Sequence, residues 1–267
     1  MSAIHLGAWD LLGAALLIVA DAALSLALRL GVHRQVLVAA LRMVLQLTLV
    51  GLVLRHVFAS ASPLMTAAVV LFMIGAAARE VATRPRQRLA RHMNYRISAA
   101  VVACASVATV LLALSTAVRP DPWYEPRYAI PLMGIVLGSV LNAASIALDA
   151  VLDAVVRERA AIEARLALGT PFREAVAPLV RNATRRGMLP VVNQMSAAGI
   201  ITLPGIMTGQ LIAGMEPMEA VKYQILLMFL LAGASGLASA GAAVLAVRAL
   251  SDDRQRLRLD RIVETAR

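Results

Sequence analysis

Reactive side chains are almost missing from this chain. Its 267 residues include one cysteine, Cys104, one lysine, Lys222, and four histidines. A single cysteine excludes an intrachain disulfide and any cysteine-based metal cluster. Its place in an apolar stretch suits a small core residue. His5, His33, His56 and His92 all fall near the ends of apolar runs, where a solvated or interfacial ring is expected rather than a ligand. No HExxH, GxSxG or zinc-type His/Cys spacing occurs. A P-loop needs GxxxxGK[ST], and Lys222 is followed by Tyr223. Neither ATP nor magnesium therefore has a site here, and a machine driven by ATP would have to borrow its ATPase from another chain. Charged residues make up only 16% of the chain, against about 25% in a soluble domain.

Apolar residues make up 60%. They lie in runs of roughly 20, the length that crosses a ~30 Å hydrocarbon core. Seven runs can be drawn, at 9–28, 35–54, 63–78, 97–118, 129–150, 188–213 and 223–247. The sixth is interrupted by Pro and Gly. None alternates apolar with polar residues, which argues against strands. The first carries Asp10 and Asp21 and lacks a basic start, unlike a cleavable signal. The expected fold is an all-α integral membrane protein of about seven helices, one transmembrane domain over residues 1–267.

The basic residues give the orientation. Two lie in 29–34, six in 79–96, seven in 151–187 and six in 248–267. The alternate connections hold only Arg55, Arg119, Arg127 and Lys222, and Arg42 is inside the second run. The positive-inside rule then places the N-terminus outside and the C-terminus in the cytoplasm. The net charge of +10 is divided among four loops rather than gathered in one stripe, which argues against nucleic acid as a partner. The expected surroundings are a lipid bilayer.

The 151–187 interruption reads as two helices meeting at a break. Gly169 fits the left-handed position after a helix end, and Thr170-Pro171 fit the start of the next helix. Met188-Leu189-Pro190 would then open the sixth membrane segment, and 248–267 would form a short cytoplasmic helix. Within IEARLALGT (162–170), Glu163, Ala164 and Gly169 have the spacing of the Glu-Ala-Ala…Gly signature of ATP-binding-cassette permease loops, with Leu168 and Thr170 beside the turn. Such a loop needs a short helix and a sharp turn that can lie in a cleft of a moving ATPase. An amphipathic helix with a Gly stop explains the same residues equally well.

LPGIMTGQLIAG (203–214) is more specific. A helix broken at Pro204-Gly205 frees backbone groups, which lipid tolerates only beside protein or a water-filled cavity, and such breaks form transporter sites. Met207, Thr208 and Gln210 stand beside it. The competing reading is a packing kink, with Gly205 and Gly209 as a small-xxx-small contact. Polar groups in other runs extend the candidate substrate path: Arg42 and Gln46 one turn apart, Asn142 near Ser145 and Asp149, Asn193, Gln194 and Gln224. Asp21 and Arg42 both fall ~10 Å from the cytoplasmic side at 1.5 Å per residue and are candidates for an ion pair. Met195, Met207 and Met228 could serve as soft ligands, although Met in an apolar helix usually fills the core.

Five segments together resemble the FetB-type permeases, membrane subunits of bacterial iron exporters related to plant aluminium-tolerance subunits. They are LRMVLQLTLVGLVL (41–54), GIVLGSVLNAASIALD (134–149), IEARLALGT, MLPVVNQMSAAGIITLPGIMTGQLIAG (188–214) and AVKYQILLM (220–228). The resemblance implies a seven-helix permease that forms a homodimer and pairs with a separate cytoplasmic ATPase, which holds the ATP and magnesium. One departure is that the Ile-x-Leu-Pro half of the general permease signature is missing, and Leu189-Pro190 comes later. A secondary transporter would show inverted repeats, which are not evident. A membrane scaffold would tolerate substitution of its intramembrane polar residues.

Overall fold

The computed structural model describes residues 7–60, 62–90 and 92–264. His5, Arg91 and Arg267 of the sequence reading lie outside them. The chain divides into two compact units, 1–62 and 63–267.

The first unit is a helical hairpin of α1 (Ala8–Ala27) and α2 (His33–Ser60). Its turn takes left-handed backbone at Arg29 (φ 51°) and Gly31 (φ 74°). Leu30 N donates to Ser25 O at 2.9 Å and Val32 N to Ser25 Oγ at 3.1 Å, so buried Ser25 closes the turn.

The second unit runs α3 (Pro63–Thr83), β1 (Gln87–Leu89), α4 (Met93–Ala113), α5 (Pro126–Arg157), α6 (Arg159–Ala167), α7 (Phe172–Ala197), α8 (Gly205–Ile212), α9 (Pro217–Ala249) and β2 (Ile262–Glu264). A wide turn, Leu114–Val118, prolongs α4. Among the described residues six helices, α1 to α5 and α9, are long and apolar enough to cross a membrane.

The sixth expected span, 188–213, is not one helix. Met188 opens nothing, because α7 passes through both Pro178 and Pro190 without a break. Each proline removes one backbone donor, but a continuous buried stripe holds the helix together across them. It comprises Phe172, Ala175, Val176, Leu179, Ala183, Gly187 and Val191, spaced by three and four. The helix stops instead after Ala197, and Gly199 takes φ 86°.

The core lies where α5, α7 and α9 meet. Val136, Val140, Ala144, Ala147, Leu148, Val151 and Leu152 of α5 are fully buried, as are Ala234, Ala238, Ala243 and Ala246 of α9. Ser139 Oγ and Ser235 Oγ share a hydrogen bond of 2.8 Å. A Cβ on Gly187 would lie 2.7 Å from Ala143 O and 2.6 Å from Ser239 Oγ. The pairs 139/235 and 143/239 advance together, so α5 and α9 run parallel. α7 passes between them with the glycine at the closest approach. Small residues let three backbones crowd this closely.

The tail differs from the expected helix. Past Leu250 it forms a turn around Asp252, whose Oδ1 accepts Arg254 N (3.0 Å) and Arg256 N (2.9 Å). β2 then pairs antiparallel with β1, Arg88 opposite Val263. Arg261 Nη1 donates to Ala249 O at 2.7 Å and Ser251 O at 3.2 Å, satisfying carbonyls at the end of α9. Runs of arginine repel one another and expose little apolar surface, so this segment gains more from tying helix ends than from helix formation. Cys104 also differs: it is exposed on α4 rather than in the core.

Candidate functional site

Three of the four basic segments meet at one end of the second unit. Arg86 N donates to Asp149 Oδ1 of α5 at 2.9 Å, which fixes the α3–α4 connection there. β1 and β2 bring in the tail. Phe172 N, at the start of α7, donates to Gln255 Oε1 at 2.9 Å, so a tail side chain caps a helix 83 residues away.

The 162–170 segment forms a short helix and a tight turn, as its sequence suggested. Ile162 anchors α6 with 2% of its surface exposed. Arg159 Nε bonds Glu163 Oε1 at 2.8 Å along the helix. Arg165 Nη1 bonds Ala175 O at 3.0 Å, tying α6 to α7. Gly169, at φ 84°, donates to Leu166 O (3.0 Å), and Thr170 N to Arg165 O (3.1 Å). This pair of bonds defines a Schellman turn. Leu168 projects from it, 86% exposed, with Ala164 exposed alongside. A cleft of about 620 Å³ runs between Glu163, Gly169 and Thr170 on one wall and Arg254, Arg256 and Leu257 of the tail on the other. The tail's place here had no signal in the sequence, since 251–257 shows neither periodicity nor a motif.

At the other end of α7 the chain opens. From Gly187 to Ala197 the helix advances about 15 Å, while α9 runs about 33 Å from Ser239 back to Pro217. The interruption therefore falls near the middle of the apolar part of α9. It spans residues 198–204 and is wider than a kink at Pro204-Gly205. Ile201 N and Thr202 N both donate to Ala197 O at 3.0 Å, and Gly199 N to Thr202 O at 2.9 Å. Pro204 sits at the N-cap of α8, and Thr208 Oγ1 donates back to Pro204 O at 3.2 Å. A Cβ at Gly205 or Gly209 would meet nothing within 4 Å, so neither glycine makes a tight contact within the chain.

The sequence-selected polar residues divide between separate places. Asn193 and Gln194 are exposed on the last turns of α7. Met207 and Thr208 are half-buried on α8. Gln210 Oε1 of α8 and Gln224 Oε1 of α9 are buried with no hydrogen-bond partner among the described residues. Asn142 is elsewhere: its Oδ1 accepts Arg84 Nη1 at 3.2 Å beside the basic end. Arg42, Gln46 and Asp21 belong to the first unit and are exposed, and Asp21 and Arg42 form no ion pair among the described residues. Met228 is buried, whereas Met195 is 38% exposed. Among the described residues no three His, Cys, Asp or Glu side chains gather as a metal site.

Comparison with known proteins adds to this geometry. The family model described as "Uncharacterised protein family (UPF0014)" matches residues 8–250. "UPF0014 membrane protein slr1647" of Synechocystis is 36% identical over 200 residues, 74% of this chain and 75% of that protein. "UPF0014 membrane protein STAR2" of Oryza sativa is 35% identical over 217 residues, 81% and 74% of the two. "Probable iron export permease protein FetB" of Escherichia coli is 28% identical over 229 residues, 86% of each. No solved structure matches.

Proposed function

The chain belongs to the Uncharacterised protein family (UPF0014), and from that membership we propose that it is the membrane-spanning permease subunit of an ATP-driven exporter of metal ions such as iron. The iron export name of the Escherichia coli relative supports the cargo class. The subunit works in a bacterial inner membrane with a separate cytoplasmic ATPase, as a homodimer. The basic end faces the cytoplasm by the positive-inside rule. Because α5 and α9 run parallel, the chain between them must return, and α7 with α8 makes a seventh, broken crossing.

One observation carries the reading. α7 is a single helix from the α6 turn to the interruption at 198–204. A partner that pushes on Glu163, Ala164, Leu168, Gly169 and Thr170 acts through the Arg165–Ala175 bond on a rod whose far end is the break. There Asn193, Gln194, Pro204, Gly205, Met207, Thr208, Gln210 and Gln224 offer amides, a hydroxyl and a thioether, donors that a metal ion accepts without His or Cys. The unfilled faces of Gly205 and Gly209 suit the second copy.

The test is ATP-dependent iron uptake into everted vesicles, whose cytoplasmic face is outward. Glu163→Arg should abolish uptake while the protein stays inserted and melts normally. Undiminished uptake by that variant would remove the α6 turn from coupling. Uptake that persists without nucleotide, driven by an ion gradient, would replace the exporter by a secondary transporter.

A further inference from the structure

A second feature of the basic end lies apart from the coupling turn. A cavity of about 720 Å³ opens between the start of α4, the end of α9 and the tail. Arg96, Arg258 and Arg261 line it, with His92 beside them. Arg258 is already committed: its Nε and Nη2 hold both oxygens of Asp260 at 2.8 Å. Arg261 is fixed by its Nη1 bonds to Ala249 O and Ser251 O and has no carboxylate within ion-pair distance among the described residues. The Arg96 guanidinium has no hydrogen bond or ion pair among the described residues. The one carboxylate in the described lining, Asp260, is held by Arg258 and reaches Arg261 only at longer range, so the Arg96 and Arg261 guanidinium groups share the cavity without a direct ion-pair partner among the described residues.

The position of Arg96 sharpens the point. It stands one turn inside α4, within an apolar stretch, Met93–Val118, long enough to span a membrane. An unpaired charge at the edge of hydrocarbon is costly unless it finds an anion or reaches water. Beside Asp260 and His92, the rest of the lining is apolar, from Leu89, Ala90, Met93 and Ala249. α4 and α9 both pass from the bilayer into the polar layer at this end, so the cavity meets headgroups on one side and acyl chains on the other.

We propose that this cavity binds the phosphate of an anionic lipid headgroup, with Arg96 and Arg261 donating to its oxygens and the acyl chains lying along Met93 and Ala249. Guanidinium forks match phosphate oxygens in geometry and charge, and basic pockets between transmembrane helices on the cytoplasmic side suit acidic headgroups. The apolar wall favours a lipid over free phosphate.

The experiment is native mass spectrometry of the protein in detergent, titrated with phosphatidylglycerol, phosphatidylcholine of the same chains, or inorganic phosphate. Wild type should retain phosphatidylglycerol about fivefold better than phosphatidylcholine, the effect of roughly one well-placed cation. Arg96→Gln should lose that preference. Arg96→Lys, which keeps the charge, should retain most of it, and Arg157→Gln, outside the cavity, all of it. Equal melting temperatures confirm that the variants fold. A preference unchanged in Arg96→Gln, or no preference in wild type, overturns the proposal. Displacement of phosphatidylglycerol by millimolar inorganic phosphate assigns the site to free phosphate and overturns it for lipid.

Discussion

Gly187 shows how much one missing side chain can decide. An added methyl would fall 2.6 Å from Ser239 Oγ and 2.7 Å from a backbone oxygen of α5, which cannot move aside as a flexible side chain does. Gly187→Ala should therefore destabilise the protein by about 1–3 kcal/mol through overpacking, seen as a lower melting temperature in detergent. Gly233→Ala, on α9, has open space and should be neutral or better. Nothing in the sequence separates these glycines, because each lies in an apolar context and only the third dimension shows what faces it. Asp252 is a second case. Its carboxyl is held below the usual carboxylate range, first by the backbone N–H of Arg256 and further by the Arg256 side chain. A lowered folded-state value means the contribution is complete above the unfolded value of about 3.9 and fades as pH falls through the folded one. The tail should resist trypsin at Arg254 and Arg256 at neutral pH. In Asp252→Asn, cleavage there should be faster at neutral pH.

Among the elements, α7 and the segment after it depart most from the sequence pattern. Met188-Leu189-Pro190 looks like a beginning because charge gives way to apolar residues there and a proline stands at the change. The helix continues because its buried stripe packs on α5 and α9 on both sides of that change. Gly199, at φ 86°, holds the real interruption. Gly199→Ala is strained whatever the space around it, by about 1–2 kcal/mol, and should lower the proposed iron uptake in vesicles more than Gly205→Ala. Equal effects would return the break to Pro204-Gly205. The start of α7 is likewise held from a distance: Gln255→Ala should leave Phe172 N without its acceptor and speed amide exchange in the first turn of α7, with α9 unaffected.

At the scale of the whole chain, charge assigns four basic segments to one side of a membrane. β1–β2 pairing, the Phe172–Gln255 bond and the Arg86–Asp149 bond gather three of them at one end of the second unit, while 29–34 belongs to the first unit. Single cysteines at 168 and 254, in a Cys104→Ser background, should be shielded from impermeant thiol reagents in intact cells and labelled in everted vesicles. The replacement is required because Cys104 is exposed on α4. Labelling of either position from outside would invert the orientation.

Composition, run length and the placing of arginine are local quantities, and they suffice for a polytopic helical membrane protein; the family is legible only in the resemblance of segments such as 188–214. The turn at Gly169 is equally local, because a left-handed position between two helices needs glycine and little else. Where α7 ends, which glycine is crowded and what the tail does depend on residues distant in sequence: Ala143 and Ser239 against Gly187, Gln255 against Phe172, β2 against β1. Those contacts exist only after parallel α5 and α9 have brought their partners together, so the tertiary structure alone decides them.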